Sequence, residues 1–176
     1  GSTVNDQVGS GVTALSNGNY VVQSQFWDNG GAVNAGAATW GNGTSGTSGV
    51  VSSSNSLVGS TVNDQVGSGG VTALTNGNYV VGSRYWDNGA VADVGAVTWG
   101  NGTSGTVGVV SASNSLVGSG ASSQLGSNGV TELPGASYLV RSQNDNANAG
   151  SIKVGVVGNL AFATAESQSL SFNPQN

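Results

Sequence analysis

A long tandem repeat constrains this chain more than any other feature. Residues 1–58 open with GSTVNDQVGSGVTAL and close with NSLV, and residues 59–117 repeat both, with one added glycine. A third, looser copy fills residues 118–176. A period of roughly 59 residues implies stacked or radially arranged units rather than one continuous core. Each unit is small for independent folding, so neighbours are expected to share buried surface.

The second unit shows the internal pattern most cleanly. Val71-Thr72-Ala73-Leu74 alternates and ends at Thr75-Asn76-Gly77-Asn78, where Asn-Gly between alternating runs signals a hairpin with positive φ at both residues. The return run starts at Tyr79. Tyr79, Val81, Ser83 and Tyr85 are expected on one face, with Val80, Gly82, Arg84 and Trp86 on the other. A third strand is expected over residues 95–99 and a fourth over 107–112, with Asn114 to Ser119 as the connection to the next unit. The first unit repeats this pattern. The third keeps Val130-Thr131-Glu132-Leu133, Tyr138 to Ser142 and Ser151 to Val154, and echoes the NSLV run at Ser167-Gln168-Ser169-Leu170. It loses both tryptophans, as a terminal capping repeat does. The expectation is an all-β fold of tandem four-stranded antiparallel units, as in β-propeller-type blades. The alternative is a β-solenoid, which needs evenly spaced rungs of about 20 residues. The markers Val71, Val97, Val110 and Val130 are unevenly spaced, which favours blades.

Composition narrows the function classes. Charged residues are 6% of the chain, against about 25% in an ordinary globular domain. The net charge is −5, with Arg84, Arg141 and Lys153 the only bases. No basic patch exists for nucleic acid, and no apolar run of the length of a membrane-spanning helix is present. Weak charge gives weak colloidal repulsion and permits self-association. Few Lys and Arg also leave few tryptic sites. Cys, Met and His are absent, which removes disulfides, thiolate zinc sites and imidazole chemistry. No nucleophile–base pair can be assembled, so an enzyme is not expected. The Ser, Thr and Asn richness points to an extracellular or cell-surface setting. The start at Gly1, inside GSTVNDQVG, fits a piece of a longer array.

The run Asp64-Gln65-Val66-Gly67-Ser68, then Asn76-Gly77-Asn78-Tyr79-Val80-Val81, Asp87-Asn88-Gly89 and Asp93-Val94-Gly95-Ala96-Val97, resembles FG-GAP-type blades of integrin-like β-propellers. It is also similar to the NSLVGS…NGNYVV…WDNG repeats of large secreted, haemagglutinin-like bacterial proteins. The resemblance implies surface display and adhesion, with no catalytic residues to carry over. Calcium-binding blades of that family carry an Asp-rich loop between the first two strands. Here those loops are Ser16-Asn17-Gly18-Asn19, Thr75-Asn76-Gly77-Asn78 and Pro134-Gly135-Ala136-Ser137, none with a carboxylate. Calcium needs several hard oxygens including carboxylates, so no cofactor is expected there. A calcium role for Asp28-Asn29 and Asp87-Asn88 is weighed below turn capping by Asp6, Asp28, Asp64 and Asp87.

The candidate contact residues are aromatic. Trp27 and Trp86, each at a strand end beside Asp-Asn-Gly, are expected to be the exposed ones, with neighbours Phe26 and Tyr85. They suit a surface glycan or a self-contact, against the plainer alternative of packing between units. Asn42 and Asn101 lie in Asn-Gly-Thr sequons, against the plainer alternative of an Asn-Gly turn. Three blades are fewer than the four to eight that close a ring, so the open edges are expected to meet further copies of the chain.

Overall fold

The computed structural model describes residues 1–135 and 137–156. Its strands form three small sheets, one per repeat. The first runs β1 (Gly11–Ala14), β2 (Tyr20–Ser24), β3 (Ala37–Gly41), β4 (Leu57–Val58), each antiparallel to the next. The second runs β5 (Gly70–Ala73), β6 (Tyr79–Ser83), β7 (Ala96–Gly100), β9 (Ser115–Val117). The third contains β10 (Val130–Glu132), β11 (Tyr138–Ser142) and β12 (Ser151–Gly155). Antiparallel meanders within each unit set aside the solenoid alternative, whose rungs pair in parallel. The expected echo at Ser167-Gln168-Ser169-Leu170 lies outside the described residues.

One strand sits elsewhere than its sequence suggests. The run expected to be the fourth strand of unit two supplies β8 (Gly108–Val109), which pairs in parallel with β4 of the first sheet. Its own sheet is completed by β9, in the stretch read as a connection. A turn braced by an asparagine side chain makes the reversal. Asn114 Oδ1 accepts from Ser111 N and its Nδ2 donates to Val109 O. Asn55 does the same with Ser52 and Val50 in unit one. The first hairpin also differs. Gly18 and Gly77 have positive φ, while Asn17 and Asn76 do not. Gly18 N donates to Leu15 O and Leu15 N to Asn19 O, a type I turn closed by a left-handed glycine. The asparagine instead caps the turn, Asn17 Oδ1 accepting from Asn19 N.

The faces of the middle strands follow the period of two as far as the strand lasts. Tyr79, Val81 and Ser83 share one face and pack toward unit one, while Val80 and Gly82 face unit three. The strand ends at Ser83, where Trp86 N turns back to Ser83 O. That turn swings Trp86 to the side of Tyr79 and Val81, opposite to the expected alternation.

A Tyr–Gly pair recurs in every sheet: Tyr20↔Gly41, Tyr79↔Gly100 and Tyr138↔Gly155 are directly opposed. The ring lies flat over the glycine, so a Cβ there would collide with ring atoms in all three. This cross-strand pairing covers the bare glycine and fixes the ring. Burial of the rings raises the phenol pKa of Tyr79, and that of Tyr138 to about 12. The register makes a prediction. Gly100→Ala displaces the Tyr79 ring and costs about 1–3 kcal/mol in denaturant unfolding. Gly31→Ala, where a Cβ meets nothing within 4 Å, should leave the midpoint unchanged.

Candidate functional site

The sheets are joined by a short segment that precedes each first strand. In unit two it is Asn63-Asp64-Gln65-Val66. Asn63 and Gln65 are left-handed, with φ of 65° and 44°. This zigzag turns successive N–H groups toward unit one. Asn63 N donates to Val33 O (2.9 Å), Gln65 N to Asn34 O (3.1 Å) and Val66 N to Ala35 O (3.0 Å). Gly36 makes the closest approach, because a Cβ there would collide with Val66 N. Unit three enters unit two in the same way. Ser122, Gln124 and Leu125 donate to Ala92, Asp93 and Val94. Ser122 and Gln124 are left-handed (58° and 47°), and Gly95 takes the place of Gly36. We call the donor segment the plug and the acceptor segment the socket. Val66 and Leu125 are wholly buried.

A carboxylate fastens each plug to the unit that follows it. Asp64 accepts from Ser60 N, Thr61 N and Thr61 Oγ1, and from Asp87 N at the end of β6. Asp6 repeats this with Ser2, Thr3 and Asp28. Asp28 and Asp87 in turn accept from Asn34 N and Asp93 N. All four recurrent acids therefore cap turns. Asp93 is held above its usual pKa by burial and by the charge of Asp87. In unit three Ser123 stands at the Asp64 position, and the carboxylate comes from the opposite side. Asp145 accepts from Ser119 N and Ser151 Oγ and pairs with Lys153 at 3.5 Å. Among the described residues no group of three metal-ligating side chains gathers.

The aromatic candidates are placed differently from expectation. Trp27 and Trp86 are 4% exposed, and Nε1 of each is buried without a hydrogen-bond partner. Trp27 packs with Val51 and Val58, and Trp86 joins the core cluster that holds Val110. They are core residues because the turn after each second strand folds them inward. Phe26 and Tyr85 are half-buried, with the Arg84 guanidinium 4.7 Å from the Tyr85 ring centre. Trp40 serves the junction, Nε1 donating to Gly102 O of unit two (2.9 Å). Asn42 and Asn101 cap their turns through Oδ1, accepting from Thr44 and Ser45 and from Thr103 and Ser104.

Sequence reasoning missed the plug itself. Its only signal was the recurrence of VNDQVG, twice intact and once as ASSQLG, in a stretch outside every expected strand.

On unit one, the face that corresponds to the plug side of unit two carries a cavity of about 120 Å³ lined by Val8, Tyr20, Val22 and Val51 among others. Their counterparts Val66, Tyr79, Val81 and Val110 are buried in the core cluster shared with unit one.

Residues 14–68 and 73–127 each match the model of a repeat of unknown function (DUF5650). The matches cover more than half of the chain, and the chain belongs to that family. No curated protein and no solved structure matches it. Each matched stretch begins at the end of a first strand and runs through the plug that enters its own socket. The family repeat thus contains one complete junction.

The acids give a pH dependence. Burial alone would raise Asp6, but hydrogen bonds from Thr3, Asp28 and Ser2 bring it down to about 2. Asp145 is likewise pushed up by burial and held below the usual carboxylate range by Ser119, Ser151 and Ser123. Both stabilise the fold when ionised. Their contribution is complete above the ordinary value of 3.8 and is lost as the pH falls, through about 2 for Asp6 and at lower pH for Asp145. The melting temperature should hold from pH 7 to pH 5 and drop toward pH 2. Asp145→Asn, which strands Lys153, should cost about 3 kcal/mol at pH 7 and flatten the acid decline.

Proposed function

We propose that this member of the repeat family is a non-enzymatic structural module of the cell exterior that works by associating with further copies of itself. One observation carries the reading. The two internal junctions are built alike, and unit one repeats the plug-bearing face with nothing against it among the described residues. Low charge and a surface rich in hydroxyl and amide groups support association without charge repulsion. Each unit is a four-stranded antiparallel meander or part of one, the form of a propeller blade. On this reading the chain contributes blades or stacked units to a larger ring or array. The resemblance of the sequence to integrin-like and haemagglutinin-like bacterial repeats supports a secreted, adhesive setting for that array. No helix among the described residues is long and apolar enough to cross a membrane. A glycan-binding module is the weaker reading, because the two tryptophans best placed for it in the sequence lie in the core.

Native mass measured across a concentration series, with electron microscopy of the same samples, tests the proposal. The expected result is mass rising to multiples of the chain, with particles larger than one copy. Uniform monomers at every concentration would overturn it.

A further inference from the structure

The two ends of the described molecule are not equivalent, and each can be compared with an internal junction. At the first end, Asn5 and Gln7 have φ of 70° and 43°, matching 65° and 44° at Asn63 and Gln65. The N–H groups of Asn5, Gln7 and Val8 correspond to the three plug donors of unit two, yet they meet no acceptor among the described residues. Val8 is 43% exposed where Val66 is 0%, and Val12 is 64% exposed where Val71 is half-buried. The 120 Å³ cavity opens beside them. This is a formed plug face whose internal counterpart is buried.

At the other end, unit three carries a related acceptor backbone, reached through a tight turn over Asp145–Asn148 in which Asn146 and Ala147 are also left-handed. Asn148 and Gly150 have φ of 68° and 80°, against 53° and 75° at Asn34 and Gly36. Asn148 and Ala149 are exposed, whereas Ala35 in the occupied socket is buried. Leu133, Leu139 and Ile152 are half-buried. Their counterparts Leu15, Val21 and Ala38 in unit one are sealed by unit two. Arg141 stands exposed at the position of Gln23, whose Nε2 reaches Gly67 O of the next unit. The first unit contains no basic side chain, while Asp6 and Asp28 lie at its plug. The two end faces thus set the donors at Asn5, Gln7 and Val8 against exposed backbone at Asn148 and Ala149, and acidic groups against Arg141.

We infer that the plug face of unit one docks on the socket face of unit three in a second copy of this chain, so that copies associate head to tail. The inference rests on the self-association reading and specifies its contact. Such a contact is heterologous, and it forms a ring where the rotation closes and a filament where it does not.

The absence of cysteine permits a clean test. In the first junction Asn63 N and Gln65 N bond the carbonyls of Val33 and Asn34, and Asn34 Nδ2 donates to Asn63 Oδ1 at 3.1 Å, so the two positions are adjacent across the contact. The corresponding positions across the inferred contact are Asn148 and Asn5. Asn34→Cys with Asn63→Cys, in one chain, should form an internal disulfide and serves as the geometric control. Asn5→Cys with Asn148→Cys should give a ladder of linked chains under mild oxidation. Asn5→Cys alone should stay unlinked. Val8→Asp, at an exposed position, should keep the melting temperature within a few degrees yet lower association at least tenfold. A mass above the monomer with no link between positions 5 and 148 would overturn the head-to-tail contact and leave self-association standing. Monomers throughout would overturn both. Efficient linking of Asn5→Cys to itself would show a head-to-head contact and also overturn the inference.

Discussion

The structure depends on a backbone contact between units. A plug with alternate left-handed residues points three N–H groups at the carbonyls of the preceding socket, and a glycine in that socket lets the two chains meet. Side chains other than glycine take positive φ at a cost of order 1 kcal/mol or more, and keep it where surroundings demand it. Here the demand is twofold in each plug, the donors facing the socket and the apolar residue entering the shared core, and in unit two the Asp64 carboxylate must also reach the turn after β6. Each backbone hydrogen bond adds roughly 1 kcal/mol net. The larger gain is the burial of Val66 and Leu125 with the flanking sheet faces. Units one and two are each completed by the plug of the next.

The same logic explains how a chain with so few charges holds its loops. Asparagine and aspartate side chains do locally what salt bridges do elsewhere. Asn17, Asn42, Asn55 and Asn114 each cap a turn, and Asp6 and Asp64 each gather the N–H groups just ahead of a plug. Among the described residues only Lys153 and Asp145 form an ion pair. That pair sits in the unit whose plug lacks a carboxylate. Ser123 stands where Asp64 would be, and Asp145 supplies the charge from the far side, with Lys153 also donating to Val117 O of unit two. The divergent copy keeps the junction by moving the acid rather than dispensing with it.

Much of the fold was legible because its signals are local. The period of the repeat gave the units, alternation gave the middle strands, and the Tyr79–Ser83 face assignment followed from a period of two. What failed depended on where strands stop. The expected fourth strand of unit two contributes Gly108–Val109 to the neighbouring sheet, and a turn braced by the Asn114 side chain then brings Ser115–Val117 back to its own. Trp27 and Trp86 looked terminal and exposed, but the turn after Ser24 and Ser83 folds them beneath Val51 and Val110. The plug was hidden for a different reason. It has neither strand nor helix period, and its left-handed glutamines carry no residue signal of the kind glycine gives.

Amide hydrogen exchange reads the central claim most directly. If plug and socket hold the units together, the N–H groups of Val66 and Leu125 should be protected as strongly as those of β2 and β6. Val8 N–H, in the same local conformation, should exchange many-fold faster in dilute solution. Equal and rapid exchange at Val8, Val66 and Leu125 would contradict the account, because it would mean that the junctions open independently of the sheets they join.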